Sequence, residues 1–230
     1  MSSPDPVRPL HILILSGPTR EHLDPVRYLS NASSGRQGFA LAAEALRRGH
    51  TVDLVQGPVD LSPPPGARVT NVVSARDMLD AALRLHPRCD VLIGAAAVSD
   101  YRPAATSERK LEHSVERRTL ELVANPDILA TLAAQRGTRI HVGFALETGD
   151  LIENAQSKLA AKDLDWIVAN SPAAIAADAG EFTLISRAGA VEPLGAIDKA
   201  ELAQRLLDRI EASPANFPGI RLKSLREGGR

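Results

Sequence analysis

Asp24-Pro25-Val26-Arg27-Tyr28-Leu29-Ser30-Asn31-Ala32-Ser33-Ser34-Gly35-Arg36-Gln37-Gly38 is the stretch that decides how this chain is interpreted. It follows an apolar run, Leu10–Leu15, that predicts a buried strand, and it leads into Phe39–Leu46, which has helical spacing. The serines and glycine before that helix suit an anion, because N–H groups and the helix dipole favour negative charge there. Either arginine of the stretch could add a bidentate phosphate contact. A glycine-rich loop that only turns the chain explains the same residues, so both interpretations stay open.

Length and composition limit the class of protein. The 230 residues suit one α/β domain, or a domain with a small appendage, and the 44% apolar fraction supports a core. Aromatic residues are only 3%, so Ala, Leu, Val and Ile must build that core. A net charge of −1 argues against general binding to nucleic acid or an acidic membrane.

Cysteine use and the absence of long apolar runs indicate the compartment. The single cysteine, Cys89, lies beside an apolar run and is expected to be a core thiol, which fits a reducing compartment. The polar N-terminus lacks a signal region, and no run approaches the ~20 apolar residues of a membrane span. We therefore expect a cytoplasmic protein without a membrane partner.

Strand and helix patterns alternate along the chain, which is typical of an α/β fold with right-handed crossovers. The predicted strands are Leu10–Leu15, Thr51–Val55, Val69–Val73, Cys89–Val98, Thr119–Val123, Ile140–Ala145 and Trp166–Ala169. A hairpin is predicted from Phe182–Ser186 and Val191–Leu194. The predicted fold is a Rossmann-like open, mostly parallel sheet with helices on both faces and a small antiparallel hairpin near the C-terminus.

Capping residues predict where the other helices begin. Ser74, with Asp77 three residues later, is expected to start a helix that ends near His86. Asn125 is expected to cap a helix whose first residue is Pro126. A further helix follows Thr148, and a capping box of Asp198 and Glu201 predicts a last one to about Ile210.

The expected domain organisation is simple. Residues 1–9 are predicted to be a disordered N-terminal segment, 10–212 one domain and 213–230 a C-terminal tail. Within the domain, the polar connection 102–118 is predicted to be a lid loop or simply disordered.

Ligands of such sheets bind beyond the carboxyl ends of the strands, so the residues there are candidates. Asp100 follows the most apolar strand and could accept from a ribose or base, or cap a turn. Lys158 and Lys162 lie one helical turn apart, as expected of an anion site or of two solvated lysines. A zinc motif, a nucleophile elbow, a Walker lysine and a strict Gly-x-Gly-x-x-Gly are all missing. A nucleotide or phosphate ligand is the best physical interpretation, and metal ligands are unknown.

A series of motifs resembles phosphopantothenoylcysteine synthetase, in order, from about His11 to Ile210. The motifs are Gly17-Pro18-Thr19-Arg20-Glu21, Asp24 to Asn31, Ser33-Ser34-Gly35, Gly57-Pro58-Val59, Ala96 to Arg102, Asn125-Pro126-Asp127-Ile128, Gly143 to Thr148 and Ala169-Asn170. The resemblance implies a ligase of coenzyme A biosynthesis. In that family the carboxylate of 4′-phosphopantothenate attacks the α-phosphate of a nucleoside triphosphate with Mg²⁺, pyrophosphate leaves, and the amine of L-cysteine displaces the nucleotide.

The resemblance also implies finer properties. Asp100-Tyr101-Arg102 resembles the bacterial pattern, which implies CTP rather than ATP and hence an acyl-cytidylate intermediate. Family members are typically homodimers. The usual bacterial form follows a flavin-dependent decarboxylase whose sequence is not present in this chain, so we expect a free-standing ligase.

Site residues follow from matching motif positions. The implied catalytic residues are Asn31, which holds the intermediate, Arg27, which supports the phosphopantothenate site, and Lys110 on the lid. Lid closure by a lysine would neutralise charge that develops on the phosphates. The implied nucleotide-binding residues are Gly17, Ser33, Ser34, Gly35, Ala96, Asp100, Lys110, Pro126, Asp127, Ile128, Leu129, Phe144, Lys158 and Lys162.

Two segments depart from the family pattern. Lys110-Leu111-Glu112-His113 stands where the family has Lys-hydrophobic-Lys-Lys, and Ser171 opens an alanine-rich run where the family has Asp and a glycine-rich loop. One alternative is therefore a catalytically silent nucleotide-binding module. A second is an NAD(P)-dependent reductase, against which the missing glycine fingerprint and the missing Tyr-x-x-x-Lys pair count.

Overall fold

A computed structural model of the protein describes residues 8–113, 117–171 and 179–213. Most of the predicted N-terminal segment, most of the predicted tail, three residues of the predicted lid and the alanine-rich run after Ser171 lie outside the described residues. Within the described part, no helix is long and apolar enough to cross a membrane.

The central element is an eight-stranded sheet in the order β12-β11-β10-β9-β6-β1-β4-β5. Its strands are β1 (His11–Ser16), β4 (Thr51–Gln56), β5 (Arg68–Asn71), β6 (Val91–Gly94), β9 (Ile140–Leu146), β10 (Trp166–Asn170), β11 (Ala179–Ser186) and β12 (Val191–Asp198). Six neighbouring strands of this sheet pair in parallel, in the order β10, β9, β6, β1, β4 and β5. All except the edge strand β5 have the apolar runs expected of strands buried on both faces. β11 pairs antiparallel with β10 and β12, so the predicted hairpin is confirmed and extends the main sheet.

Five helices of the described chain cover both faces of the sheet: α1 (Arg36–Arg47), α2 (Ala75–Leu85), α3 (Ile128–Ala133), α4 (Leu151–Ala161) and α5 (Lys199–Glu211). Successive residues of β1 point to opposite faces, as strand geometry requires. Ile12 and Ile14 pack in one cluster with residues of α1 and α5. Leu13 and Leu15 pack in another with residues of α2 and α3. The predicted fold class is therefore confirmed.

Two small antiparallel ladders lie outside the main sheet. β2 (Glu21–His22) pairs with β3 (Tyr28–Leu29), and β7 (Tyr101–Pro103) pairs with β8 (Leu122–Ala124). Arg102 and Pro103 thus belong to a strand, and the prediction that the lid begins at residue 102 was wrong. The hydrogen bonds with β8 explain this, since Ala104 also bonds to Glu121 just beyond the ladder.

The structure also corrects two other boundaries and one capping box. β6 ends at Gly94 instead of Val98: the N–H of Ala95 still donates to Leu15 O of β1, but Ala97 already bonds to Gly17 in the loop after β1. α3 begins after Asp127, whose carboxylate accepts from the N–H of Ala130 at 3.1 Å, so Asn125 is not its cap. The capping box at α2 is complete, but at α5 only Asp198 caps and the Glu201 carboxylate pairs with Arg205.

Candidate functional site

The candidate site lies where the strand order reverses. From β1 (His11–Ser16) the chain continues to β4 and β5 on one side and later returns to β6 on the other. The loops that leave β1 and β6 stay joined, since the N–H of Ala97 donates to Gly17 O at 3.0 Å and that of Thr19 donates to Ala97 O at 3.3 Å. The carboxyl ends of neighbouring parallel strands at such a reversal form the crevice in which α/β sheets bind ligands.

Two glycines bring helix α1 close to the end of β1. Gly35 has a φ of 74°, which a residue with a side chain rarely adopts, and it precedes the first helical residue. A Cβ on Gly38 would lie 2.2 Å from Ser16 Oγ, so only glycine allows this approach. Ser16 Oγ in turn donates to Gly35 O at 3.2 Å. The glycines of the opening stretch therefore have a structural role that also aims the helix N-terminus at the crevice.

A first cavity, of about 160 Å³, is here called the loop cavity. It lies between the α1 N-terminus and the ends of β6, β9 and β10. Its lining includes Ser33, Ser34, Gly35, Arg36, Gln37, Ala95, Ala96, Ala97, Phe144, Asn170 and Lys199. No acidic residue stands in the first turn of α1 and no side chain caps it, so the N-terminus keeps its positive potential. Gln37 Oε1 is buried there without a hydrogen-bond partner among the described residues.

A second cavity, of about 190 Å³, is here called the strand-end cavity. It shares Ala96 and Phe144 with the loop cavity, so the two adjoin. Its other lining residues are Leu15, Gly94, Val98, Ser99, Asp100, Asn125, Pro126, Asp127, Ile128, Leu129 and Lys162. The structure thus brings together, from four segments of the chain, most of the residues that the resemblance assigns to the nucleotide. Gly17 lines neither cavity, and its Cα would lie 3.5 Å from a Cβ on Gly35.

Asn125 organises one wall of the strand-end cavity, a role that its assignment as a helix cap missed. Its side-chain amide donates to Ser99 O at 2.8 Å, and its backbone N–H donates to Asp100 O at the same distance. Its Oδ1 accepts from Arg102 at 3.1 Å. Asn125 therefore holds the loop that presents Asp100. Local sequence carries no signal for this contact, because Ser99 is 26 residues away.

Asn31 links the loops after β1 and β6. Its side-chain amide donates to Ala97 O, and its Oδ1 accepts from the N–H of Ser33 at 3.0 Å. The side chain is exposed and borders an open cleft of about 430 Å³ that also contains Arg20, Tyr28 and Ser33. The Arg20 guanidinium stacks 4.6 Å from the centre of the Tyr28 ring.

The two other residues with implied catalytic roles lie outside both cavities. Arg27 borders a separate cavity with Glu112, His113 and Arg118. Lys110 is exposed on the same connection. Asp24, fully buried, holds this region together. Burial raises the pKa of its carboxyl group, but hydrogen bonds from Leu111, Val26 and Arg27 outweigh burial and hold the pKa far below its usual range.

The two lysines of α4 differ in their surroundings. Lys162 Nζ lies 3.0 Å from Asp127 Oδ2 and lines the strand-end cavity. Lys158 Nζ lies 2.6 Å from Glu147 Oε1 and lines neither cavity. A carboxylate therefore neutralises each ammonium, and the repulsion expected between the two lysines is relieved without a ligand.

Comparison with known proteins gives consistent matches. The family model for the DNA/pantothenate metabolism flavoprotein C-terminal domain matches residues 7–213. The chain is 45% identical over 170 residues to the coenzyme A biosynthesis bifunctional protein CoaBC of Vibrio vulnificus (strain YJ016), which covers 73% of this chain and 42% of that protein. It is 39% identical over 212 residues to CoaBC of Bacillus subtilis (strain 168), and this match covers 90% of this chain and 52% of that protein.

Solved structures agree with these matches. The crystal structure of the C-terminal domain of a coenzyme A biosynthesis bifunctional protein CoaBC superimposes with a TM-score of 0.78 at 37% identity, covering 90% of this chain and 97% of that one. The chain spans about half the length of the curated relatives that it matches.

Proposed function

The chain belongs to the family of DNA/pantothenate metabolism flavoprotein C-terminal domains, and from that premise we propose that it is a phosphopantothenate–cysteine ligase of coenzyme A biosynthesis. One observation carries the proposal. Asp100, Asp127, Phe144 and Lys162, which come from separate segments, line one cavity at the reversal of strand order. A nucleotide is the ligand that such a crevice suits.

The first step would activate an acid. The carboxylate of 4′-phosphopantothenate attacks the α-phosphate of CTP, the bond to the β-phosphate breaks, and pyrophosphate leaves. The nucleotide would occupy the strand-end cavity, and its triphosphate would extend from Lys162 toward the adjoining loop cavity. There Ser33, Ser34 and the α1 N-terminus (Arg36–Arg47) offer hydroxyl and N–H donors to the charge.

The second step would form the amide. The amine of L-cysteine attacks the acyl carbon of the acyl-cytidylate, CMP leaves, and a proton is lost from the amine. Asn31 supports this step because it stands between Ala97 and Ser33, at the border of the loop cavity. Its exposed amide could exchange these internal bonds for the intermediate.

Mg²⁺ would enter with the triphosphate, where its charge offsets that of the leaving pyrophosphate. This ion is commonly held by phosphates, water and one or two carboxylates. The described residues contain no group of three or more potential ligands, but Asp100 and Asp127 both line the strand-end cavity. These two carboxylates are the proposed protein ligands.

A homodimer in the cytoplasm is the proposed form. Large apolar side chains are exposed on and next to the two small ladders: Val26, Tyr28, Tyr101, Leu120 and Leu122. Clustered exposed apolar residues are typical of protein interfaces. A second copy of the chain that covers this surface would also cover the cavity beside Arg27.

A silent nucleotide-binding module is the second candidate. It is favoured by Glu112, a carboxylate on the lid, and by Lys110, which is exposed and lines neither cavity. For the ligase to work, the Lys110 side chain would have to reach the phosphates while the backbone around it keeps its present position.

Pyrophosphate release separates the two candidates. It would be measured with CTP and separately with ATP, in the presence of Mg²⁺ and 4′-phosphopantothenate, before and after cysteine is added. Asn31→Asp and Lys110→Gln are the test variants, and Arg84→Gln, an exposed charge on α2, is the control. Turnover with CTP that is lost only in the test variants supports the ligase. Nucleotide binding without pyrophosphate release would leave the silent module.

A further inference from the structure

Asp24 is a fully buried carboxylate with donors on both oxygens. Its Oδ1 accepts from the backbone N–H groups of Val26 and Arg27, each at 2.8 Å. Its Oδ2 accepts from Arg27 Nε at 2.9 Å and from the N–H of Leu111 at 3.1 Å. The first pair is an ordinary turn interaction of aspartate. The bond to Leu111 joins a residue 87 positions away and has no such local explanation.

Arg27 closes a ring with the same two residues. Its Nη2 lies 2.7 Å from Asp24 Oδ2 and also donates to Leu111 O. The backbone of Leu111 thus donates its N–H to Asp24 and accepts at its C=O from Arg27. The carboxylate fixes the direction of the guanidinium as well as the position of the connecting segment.

Further bonds extend the contact along the same segment. The N–H of Ser107 donates to Leu23 O at 2.9 Å, and Thr106 Oγ1 donates to His22 O at 3.1 Å. Residues 106–111 therefore dock against the strand and turn that precede Arg27. Asp24 supplies the only charged acceptor among these docking bonds in the described part of the chain, and charge-assisted bonds are about twice as strong as neutral ones.

We propose that Asp24 is a positioning residue of the ligase, which holds Arg27 in place and, through the N–H of Leu111, sets the position of the neighbouring Lys110. This inference rests on the proposed function. Asp24 itself touches no substrate in this account. Its negative charge serves to dock the segment that carries the lysine.

Asp24→Asn is the sharpest test. The new side chain keeps an oxygen for the turn N–H groups, but its NH₂ group would face the donors of Arg27 and Leu111. We expect turnover to fall at least tenfold, while the dissociation constant for CTP changes less than twofold. Hydrogen exchange should become faster in residues 104–113 and stay unchanged in the main sheet. Asp53→Asn is the matched control, because Asp53 is also buried and paired with an arginine, Arg68, but lies in β4 (Thr51–Gln56).

A double variant distinguishes positioning from a general loss of structure. If Asp24 acts through Arg27 and Lys110, adding Asp24→Asn to the variant Arg27→Gln/Lys110→Gln should lower turnover by less than threefold more, whereas independent effects multiply. Turnover of Asp24→Asn within threefold of the parent would overturn the inference. So would a loss of CTP binding in step with turnover. A parent protein without pyrophosphate release would instead contradict the proposed function itself.

Discussion

Lys162 Nζ lies 3.0 Å from Asp127 Oδ2, which joins the end of α4 (Leu151–Ala161) to the start of α3 (Ile128–Ala133) across the strand-end cavity. The other oxygen of Asp127 accepts from Ala130 and caps α3. One carboxylate therefore both caps a helix and neutralises a cation that lines the strand-end cavity. An anionic ligand could take over Lys162 while Asp127 keeps its cap.

Lys162→Gln should therefore weaken nucleotide binding more than Lys158→Gln does. We expect the KM for CTP to rise at least tenfold in the first variant, since a bond to a charged group contributes about 1.5–3 kcal/mol and each ~1.4 kcal/mol is a factor of ten. Lys158 is its matched control, because it pairs with Glu147 and lines neither cavity. Steady-state kinetics at varied CTP concentration measure the KM for CTP of both variants. Equal effects would show that the strand-end cavity is not where the charge of the nucleotide lies.

Gly38→Ala should destabilise the fold at the junction of α1 and β1. The added Cβ would lie 2.2 Å from Ser16 Oγ and 2.4 Å from Ser16 Cβ, so the helix must shift. Overpacking of this kind costs about 1–3 kcal/mol, which urea denaturation measures. Gly149→Ala is the control, because a Cβ there meets no atom within 4 Å. A parent-like midpoint for Gly38→Ala would contradict the close approach.

A buried histidine pair should make the protein sensitive to acid. The Nε2 atoms of His86 and His141 lie 2.9 Å apart, and both Nδ1 atoms are buried without a hydrogen-bond partner in the described chain. Burial lowers the pKa of His86 to about 4 and that of His141 to about 3. Both values lie below the ~6.5 of an unfolded chain, so their stabilisation is complete above pH 6.5 and is lost as the pH falls.

Between pH 7 and pH 5 each histidine should therefore lower the free energy of unfolding by about 1–2 kcal/mol. Urea denaturation at the two pH values measures this loss. The variant His86→Leu/His141→Leu removes both rings and should lose less stability over the same interval. An equal loss in parent and variant would assign the acid sensitivity to other groups.

The sequence predicts most of the sheet because buried parallel strands are apolar along their whole length. Ile140–Ala145 and Trp166–Ala169 are found almost unchanged within β9 (Ile140–Leu146) and β10 (Trp166–Asn170). The run Cys89–Val98 is just as apolar, yet its second half lies beyond the end of β6 and lines the cavities. An apolar pattern does not distinguish a strand from a packed loop.

The site was harder to predict wherever contacts join distant residues. Asn125 followed by Pro126 predicts a helix that begins at Pro126, but this prediction is wrong because Asp127 caps α3. The side-chain amide of Asn125 instead donates a hydrogen bond to Ser99 O. The pairing of Asp24 with Leu111 is equally invisible in the local pattern, because Asp24 belongs to a motif of the resemblance and Leu111 lies 87 residues away in a segment that departs from it.

The most direct test of the central claim follows an oxygen atom. 4′-Phosphopantothenate labelled with ¹⁸O in its carboxylate would be incubated with the protein, CTP, Mg²⁺ and cysteine, and the CMP analysed by mass spectrometry. Attack of the carboxylate on the α-phosphate predicts that each CMP carries one ¹⁸O and that each phosphopantothenoylcysteine retains one. CMP without the label, or no CMP at all, would contradict the proposed ligase.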